Sequence, residues 1–233
     1  MRHEGRSSFS NSLLAALPAG KHHSLRSKLE PVELVFGDIL LSPGERIQYV
    51  FFPGNSLVSL LTEEGKRAVE VGLVGHEGMV GIPLALGVDV SPVRAVVQGT
   101  GMALRMKRES FLREYRKSPH LQRGLLGYSH ALMSQVTQIS ACNRLHSVET
   151  RLARWLLMTR DRLRSNHFEL THEFLGHMLG VRRVGITQAA GALQRRKLIT
   201  YTRGHIRILD SRGLEAASCH CYQIVRALYE TDR

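Results

Sequence analysis

The spacing of apolar residues changes twice along the chain, and each change marks a different kind of element. From Pro31 to about Leu104 the apolar positions fall in short β-prone runs: VELVFG, DILL, IQYVFFP, LVSLLT, AVEVGLVG, RAVVQG and GMALRM. Turn-forming residues at Asp38, Pro43-Gly44, Pro53-Gly54, Glu63 to Gly65, Gly75, Gly78 and Gly99 separate them. Such punctuation between short strands predicts a compact all-β roll or barrel. The stretch from Gly75 to Val93 interrupts the series with four glycines and two prolines. Met79 to Leu86 is expected to form a short helix there. An insert on a rigid roll either carries a ligand pocket or closes one end of the roll, and composition favours neither.

After Lys107 the period becomes helical. Glu109 to Tyr115 reads as a short helix, and Ser118-Pro119 restarts the chain into a long one, His120 to about Asn143. Leu121, Leu125, Tyr128, Leu132, Val136 and Ile139 recur at steps of four and three, close to a heptad seam. An apolar stripe about 36 Å long that joins two domains is more economical as a dimer seam than as globular core. Cys142 near its end reads as a packed thiol. Ser147 is a candidate cap for the next helix, whose buried face carries Leu152, Trp155 and Leu156.

Two further helices follow Asn166, in LTHEFLGHMLG and VRRVGITQAAGALQRRKLI. The Thr171 hydroxyl can accept one of the first-turn amides that a helix leaves unpaired, and Leu170 and Leu175 are placed as a hydrophobic staple. Phe174, Leu175, Met178 and Leu179 make the buried face of the first helix. Gly180 ends it where a left-handed backbone angle costs little. In the second helix Ile186, Ala190 and Leu193 are spaced for packing, while Arg182, Arg183, Gly185 and Gln188 fall on another face. ITYTRGHIRILD then reads as a hairpin turning at Arg203-Gly204. The order of two helices and a hairpin is the layout of a winged helix-turn-helix, whose second helix enters a major groove. The tail, GLEAASCHCYQIVRALYE, forms a last amphipathic helix or helices. At the other end, residues 1–10 read as a mobile arm, and Asn11 to Leu17 as a short helix broken by Pro18 and Gly20.

Charge sharpens this picture. The chain has 233 residues, 43% of them hydrophobic, and a formal charge of +12, which favours a polyanionic partner. From Arg144 to Arg233 there are sixteen Lys/Arg against eight Asp/Glu, so the helix-turn-helix region holds +8 of that excess. No run of 18 apolar residues occurs, so no membrane partner is expected. The apolar part of the first twenty residues is too short and interrupted for a secretion signal, and cytoplasmic residence is the default.

The candidate chemistry is recognition of double-stranded DNA. Arg182 and Arg183 can present a planar fork to guanine, Gln188 can pair with adenine, and Gly185 leaves room for close approach, which makes these four the base-contacting set. Thr171, Arg195, Arg196, Arg203, His205 and Arg207 are the phosphate-contacting set. Catalysis finds no support: no serine elbow or phosphate loop occurs, and Glu70 and Glu77 stand as isolated acids. No metal is expected either. His22-His23 lacks a third ligand, His172 and His177 are five apart, and Cys219-His220-Cys221 lacks the usual spacer and a second ligand pair.

The order of β-roll, long helix, helix-turn-helix and wing resembles the cyclic-AMP receptor/FNR type of bacterial transcription regulator over about residues 12–222, most specifically in LTHEFLGHMLGVRRVGITQAAGALQRRKLI and the wing. The resemblance implies an α+β chain with a cyclic-nucleotide-binding-like sensory roll at 11–117, a dimerisation helix at 118–145 and a winged helix-turn-helix at 146–233. It also implies a homodimer on a palindromic operator, with RNA polymerase as a candidate further partner. Arg183 aligns with the arginine that most commonly reads bases. Arg182 replaces a small capping residue, and Val184 stands where many relatives carry a base-contacting glutamate. In the roll, Gly75, Glu77 and Gly78 resemble the glycine-glutamate segment of cyclic-nucleotide binders and, with Arg94, form the candidate effector pocket. The positions of the arginine-serine pair that grips the cyclic phosphate hold approximately Pro92 and Val93, which argues against cyclic AMP and cyclic GMP. Iron–sulfur members use cysteines near the N-terminus, and this chain has none before Cys142, which argues against such a cluster. The expected function is a homodimeric, sequence-specific DNA-binding transcription regulator with a non-standard effector pocket or no cyclic-nucleotide dependence. The alternative is a metabolite-binding module acting mainly through protein contact.

Overall fold

The computed structural model describes residues 10–18, 25–65 and 67–230. Residues 1–9 of the expected arm, and His22 and His23, lie outside the described residues. The chain divides into two compact units, residues up to 60 with 73–132, and 61–72 with residues from 133 onward. The expected boundaries at 117 and 145 flank the long helix, whereas the units divide within it.

Each of the seven apolar runs contributes a strand. β1 (Glu30–Leu34) and β3 (Tyr49–Pro53) pair antiparallel with the two edges of β7 (Gly101–Lys107). β2 (Ile39–Leu41), β6 (Arg94–Gly99), β4 (Leu57–Glu64) and β5 (Arg67–Val74) make a second sheet in the order β2-β6-β4-β5. Val50, Phe52, Leu57, Val58, Val74, Ala95 and Val97 are fully buried in the core. The insert after β5 adds Met79, Val80 and, from a 3-10 helix at Ile82–Leu86, Leu84 to that core. The insert therefore buries apolar side chains of its own.

A short α1 (Ser12–Ala15) is anchored by Asn11. The Asn11 side chain accepts from the Leu14 amide and donates to the carbonyls of Pro53 (3.0 Å) and Gly78 (2.8 Å). After β7 come α2 (Arg108–Lys117) and the long α3 (Pro119–Leu145), 27 residues and roughly 40 Å long. Ser118 caps α3 through a bond from the Leu121 amide.

The helix seam differs from the expected one. Leu121, Leu125, Tyr128 and Ile139 are buried within the chain itself, and only Leu132 and Val136 of that set are half-buried. Helical periodicity cannot tell burial against the same chain from burial against a second copy. The large apolar side chains that α3 leaves exposed are Leu126 (55%), Met133 (64%) and Leu145. Leu126 and Met133 are one heptad apart.

The second unit is built on α4 (Val148–Leu163), which Ser147 caps by accepting from the Thr150 amide. Leu152, Ala153, Trp155, Leu156 and Leu157 are buried, as expected for its apolar face, but so are Arg151, Arg154 and Arg162. Arg162 donates to Gln135 Oε1 (2.8 Å) and to the Met158 carbonyl, and Arg151 to the Leu179 carbonyl. These three arginines therefore count toward the basic composition without contributing an exposed cation. The two acids read as isolated are also engaged. Trp155 Nε1 donates to buried Glu70 (2.9 Å), and Glu77 accepts from the Gly75 amide (3.2 Å).

β8 (His167–Glu169), α5 (His172–Leu179), α6 (Arg183–Arg195), β9 (Ile199–Thr202) and β10 (His205–Ile208) follow. The hairpin of β9 and β10 gains β8 as a third strand, in the order β8-β10-β9. The tail makes two helices, α7 (Ser211–Ala217) and α8 (Cys221–Glu230).

Candidate nucleic-acid interface

α5 begins where the Thr171 hydroxyl accepts from the Phe174 amide (3.1 Å) and ends at Gly180, whose φ of 61° is left-handed. Both features were legible in the sequence. The elbow after it is tight: Val181 donates its amide to the Gly176 carbonyl, and a Cβ on Gly176 would come within 3.0 Å of the Val181 oxygen. Gly176 and Gly180 therefore set the turn between the two helices.

Arg182 is the N-cap of α6, with no side-chain bond to the helix. Its carbonyl accepts the first helical bond from the Gly185 amide (2.9 Å). The guanidinium is exposed, and the other first-turn amides have no side-chain oxygen from this residue. Ile186, Ala189, Ala190 and Leu193 bury one face of α6, and Arg182, Arg183, Val184, Thr187 and Gln188 lie exposed on the other. A Cβ at Gly185 would meet nothing within 4 Å, so the surface beside it is open. The structure thus brings all four expected base-contacting residues onto one end and one side of α6. Val184, an apolar residue 60% exposed, stands among them.

The wing turns at Arg203 (φ 49°) and Gly204 (φ 88°), both left-handed, as a two-residue turn matched to strand twist requires. Arg203, His205 and Arg207 are exposed along it. His205 also faces Glu169 across the β8 pairing, at 3.6 Å. Arg195 and Arg196 are exposed at the far end of α6, where Arg196 pairs with Glu149 at the start of α4 (3.0 Å). That pair ties Arg196 to its own domain.

A contact invisible to sequence reasoning joins these parts. The His172 ring stacks on Tyr201 of β9, with centroids 4.2 Å apart and planes at 12°. Tyr201 donates to the Leu170 carbonyl (2.8 Å), and the Thr187 hydroxyl lies 3.0 Å from His172 Nδ1. The same hydroxyl lies 3.1 Å from the Arg183 carbonyl, and His172 Nε2 is buried without a hydrogen-bond partner. Burial, and then the charge of Arg183, hold the imidazole below its usual value of 6.5. Neutral His172 therefore links α5, α6 and the wing.

The candidate effector residues are arranged differently. Gly75, Glu77 and Gly78 share one turn, closed by the Gly78 amide on the Gly75 carbonyl (3.1 Å). A Cβ on Gly78 would fall 2.2 Å from the Tyr128 ring, so this glycine makes room for a side chain of α3. Arg94 begins β6, after a turn in which Ser91 Oγ donates to the Val93 carbonyl (2.6 Å).

Outside this surface, Cys142, His146, Cys219 and Cys221 lie together, with their ligand atoms all within 4.8 Å of one another. By spacing alone Cys219-His220-Cys221 lacks a second ligand pair. Folding supplies Cys142 and His146 from elsewhere in the chain. Cys-x-x-x-His on a helix was the available signal, since it places both side chains on one face.

A model of the Crp-like helix-turn-helix domain matches residues 150–217. No curated protein matches the chain. Among solved structures, a putative Crp/Fnr-family transcriptional regulator from Eubacterium rectale is 18% identical, with 88% of this chain and 97% of that one covered and a TM-score of 0.68. FixK2 from Bradyrhizobium japonicum is 13% identical, covering 82% and 98%, with a TM-score of 0.69. The c-di-GMP responsive global regulator CLP from Xanthomonas campestris is 15% identical, covering 82% and 99%, with a TM-score of 0.66. The chain thus has the fold of these Crp/Fnr-type proteins and carries a Crp-like helix-turn-helix domain at residues 150–217.

Proposed function

We propose that this chain is a DNA-binding transcription regulator, a homodimer that reads a palindromic operator in sequence, without dependence on cyclic AMP or cyclic GMP. The observation that carries the reading is the exposed edge of α6, where Arg182, Arg183, Val184 and Gln188 stand together with an open approach at Gly185. Arginine and glutamine read guanine and adenine edges, and the wing cations Arg203, His205 and Arg207 contact phosphate and fix the register. The dimer forms along α3, with Leu126 and Met133 facing the second copy and Leu132 and Val136 at the margin. Two recognition helices then meet successive major grooves about 34 Å apart.

Independence from cyclic nucleotides rests on the roll. The apolar Pro92 and Val93 stand where a phosphate would need an arginine and a hydroxyl, and Glu77 already accepts an amide of its own turn. An effector of another chemistry at Gly75, Glu77, Gly78 and Arg94 is compatible with this reading.

Selection of bound duplexes from a random pool tests the reading, with binding measured at several salt concentrations. The expected result is an inverted repeat whose half-site centres lie about 10 base pairs or a multiple apart, and steep weakening with salt. An unenriched pool would overturn it, and a single half-site bound by a monomer would overturn the dimer.

A further inference from the structure

We propose that Cys142, His146, Cys219 and Cys221 form a tetrahedral site for one zinc-class divalent ion, which fastens the end of α3 to the start of α8. The four donors come from two separate stretches of chain. Cys142 and His146 are one helical turn apart, so their side chains leave α3 and its final turn on the same side. Cys219 lies in the break between α7 and α8, and Cys221 opens α8 two residues later. His220, between them, faces outward and contacts Gln223 Oε1 at 2.9 Å, so the fourth ligand is the distant His146.

The distances suit a single ion. Cys142 Sγ and Cys219 Sγ are 3.4 Å apart, His146 Nδ1 lies 3.6 Å from Cys221 Sγ, and all four atoms fall within 4.8 Å. Metal–sulfur bonds of about 2.3 Å and metal–nitrogen bonds of about 2.0–2.1 Å put tetrahedral ligand atoms roughly 3.5–3.8 Å from one another. Small adjustments therefore close the site. An iron–sulfur core holds several irons and needs a wider cage than these atoms provide. Three sulfurs and one imidazole are a common structural zinc set, and soft donors disfavour magnesium or calcium.

The surroundings suit the charge of such a complex. Three thiolates and a neutral imidazole around a divalent ion carry one net negative charge. Arg154 is buried beside Cys142, its charge acts on that thiol, and its hydrogen bond goes to the Met158 thioether (3.1 Å). Buried Arg151 is close enough to interact with both Cys142 and Cys219. Among the described residues no carboxylate pairs with Arg151 or Arg154, and an anionic metal centre would supply a countercharge. Gln138 Nε2 donates to Cys221 Sγ (3.1 Å), a second-sphere bond that orients a ligating sulfur.

The test uses the full chain, purified under reducing conditions without chelator. Its zinc content is measured, and zinc is then exchanged for cobalt(II). One zinc per chain is expected, together with a cobalt spectrum showing thiolate charge-transfer and tetrahedral d–d bands. Cys219→Ser with Cys221→Ser should abolish both. If that variant does not fold, alkylation of the wild-type protein decides: zinc should protect three thiols, and chelation should release all three. Substoichiometric zinc after zinc is offered, a cobalt spectrum without thiolate bands, zinc content unchanged by the double replacement, or a Cys142–Cys219 disulfide in the reduced, zinc-treated protein would each overturn the proposal.

Discussion

His172 lies flat on Tyr201, their ring centroids 4.2 Å apart, and this contact makes the helix pair and the wing one structure. Its stability depends on His172 being neutral. The ordinary imidazole value is 6.5, and burial and Arg183 hold His172 below it. Between the two values the unfolded chain binds more protons than the folded one, so acid favours unfolding there. Stability from this group is complete above 6.5 and is lost as the pH falls through the lower folded value. Thermal midpoints followed from neutral pH downward should fall across that window, and His172→Gln should flatten the fall. An equally steep fall in the variant would assign the acid sensitivity to other groups.

The elements that rest on local signals were legible in the sequence. Thr171, Gly180, Ser147 and the seven β runs act through their own neighbours, and each stands where its chemistry put it. What depends on distant chain was not. β8 is three residues with only Phe168 buried, and it exists as a strand through its pairing with β10. Tyr128 and Leu125 have the right period for a seam but are buried within the chain. Arg151, Arg154 and Arg162 raised the apparent basicity of a surface from which the fold removes them. Cys142 and Cys219 are 77 positions apart, and no spacing rule joins them.

The bond from Trp155 Nε1 to Glu70 gives a second test. Both groups are buried, so Trp155→Phe removes a donor from a desolvated carboxylate as well as deleting ring volume. The loss should be about 2–4 kcal/mol in urea unfolding. Glu70→Gln keeps an acceptor oxygen for the indole and should cost less. A measurable cost for Glu70→Gln is the diagnostic, since a purely volumetric role for Trp155 would leave that replacement near neutral.

Gly78 should tolerate no side chain while Tyr128 is present. A methyl there would sit 2.2 Å from the ring, well inside van der Waals contact. Gly78→Ala is expected to destabilise by about 1–3 kcal/mol through overpacking. Shortening the partner in Gly78→Ala with Tyr128→Leu should recover part of that loss relative to the sum of the single changes. Strict additivity in the double-mutant cycle would place the strain elsewhere.

Arg183 and Arg203 should separate specificity from affinity. Both are exposed, so Arg183→Ala and Arg203→Gly should leave the thermal midpoint little changed. Glycine is the better replacement at 203, because the residue there has a left-handed φ of 49°. Arg183→Ala should lose about 1–3 kcal/mol of discrimination at one base pair per half-site. Arg203→Gly should weaken all duplexes alike and lower the salt slope by about one per wing. Uniform weakening by both would make Arg183 a phosphate contact.

On the proposed reading, Val184 faces the operator. It is 60% exposed on α6, where an apolar side chain gains little from water but could pack on a thymine methyl. A glutamate at this place would instead accept from the amino group of cytosine. Val184→Glu should therefore shift the preferred base pair at one position of each half-site from T·A toward C·G, leaving the rest of the site unchanged. The first turn of α6 accommodates the new charge, since its amides receive no side-chain cap from Arg182 and the helix dipole is positive there. Duplex selection with the two proteins in parallel reads the change directly. Identical selected sites would show that Val184 faces no base, and the apolar exposure at the head of α6 would then have to be explained by a protein contact instead.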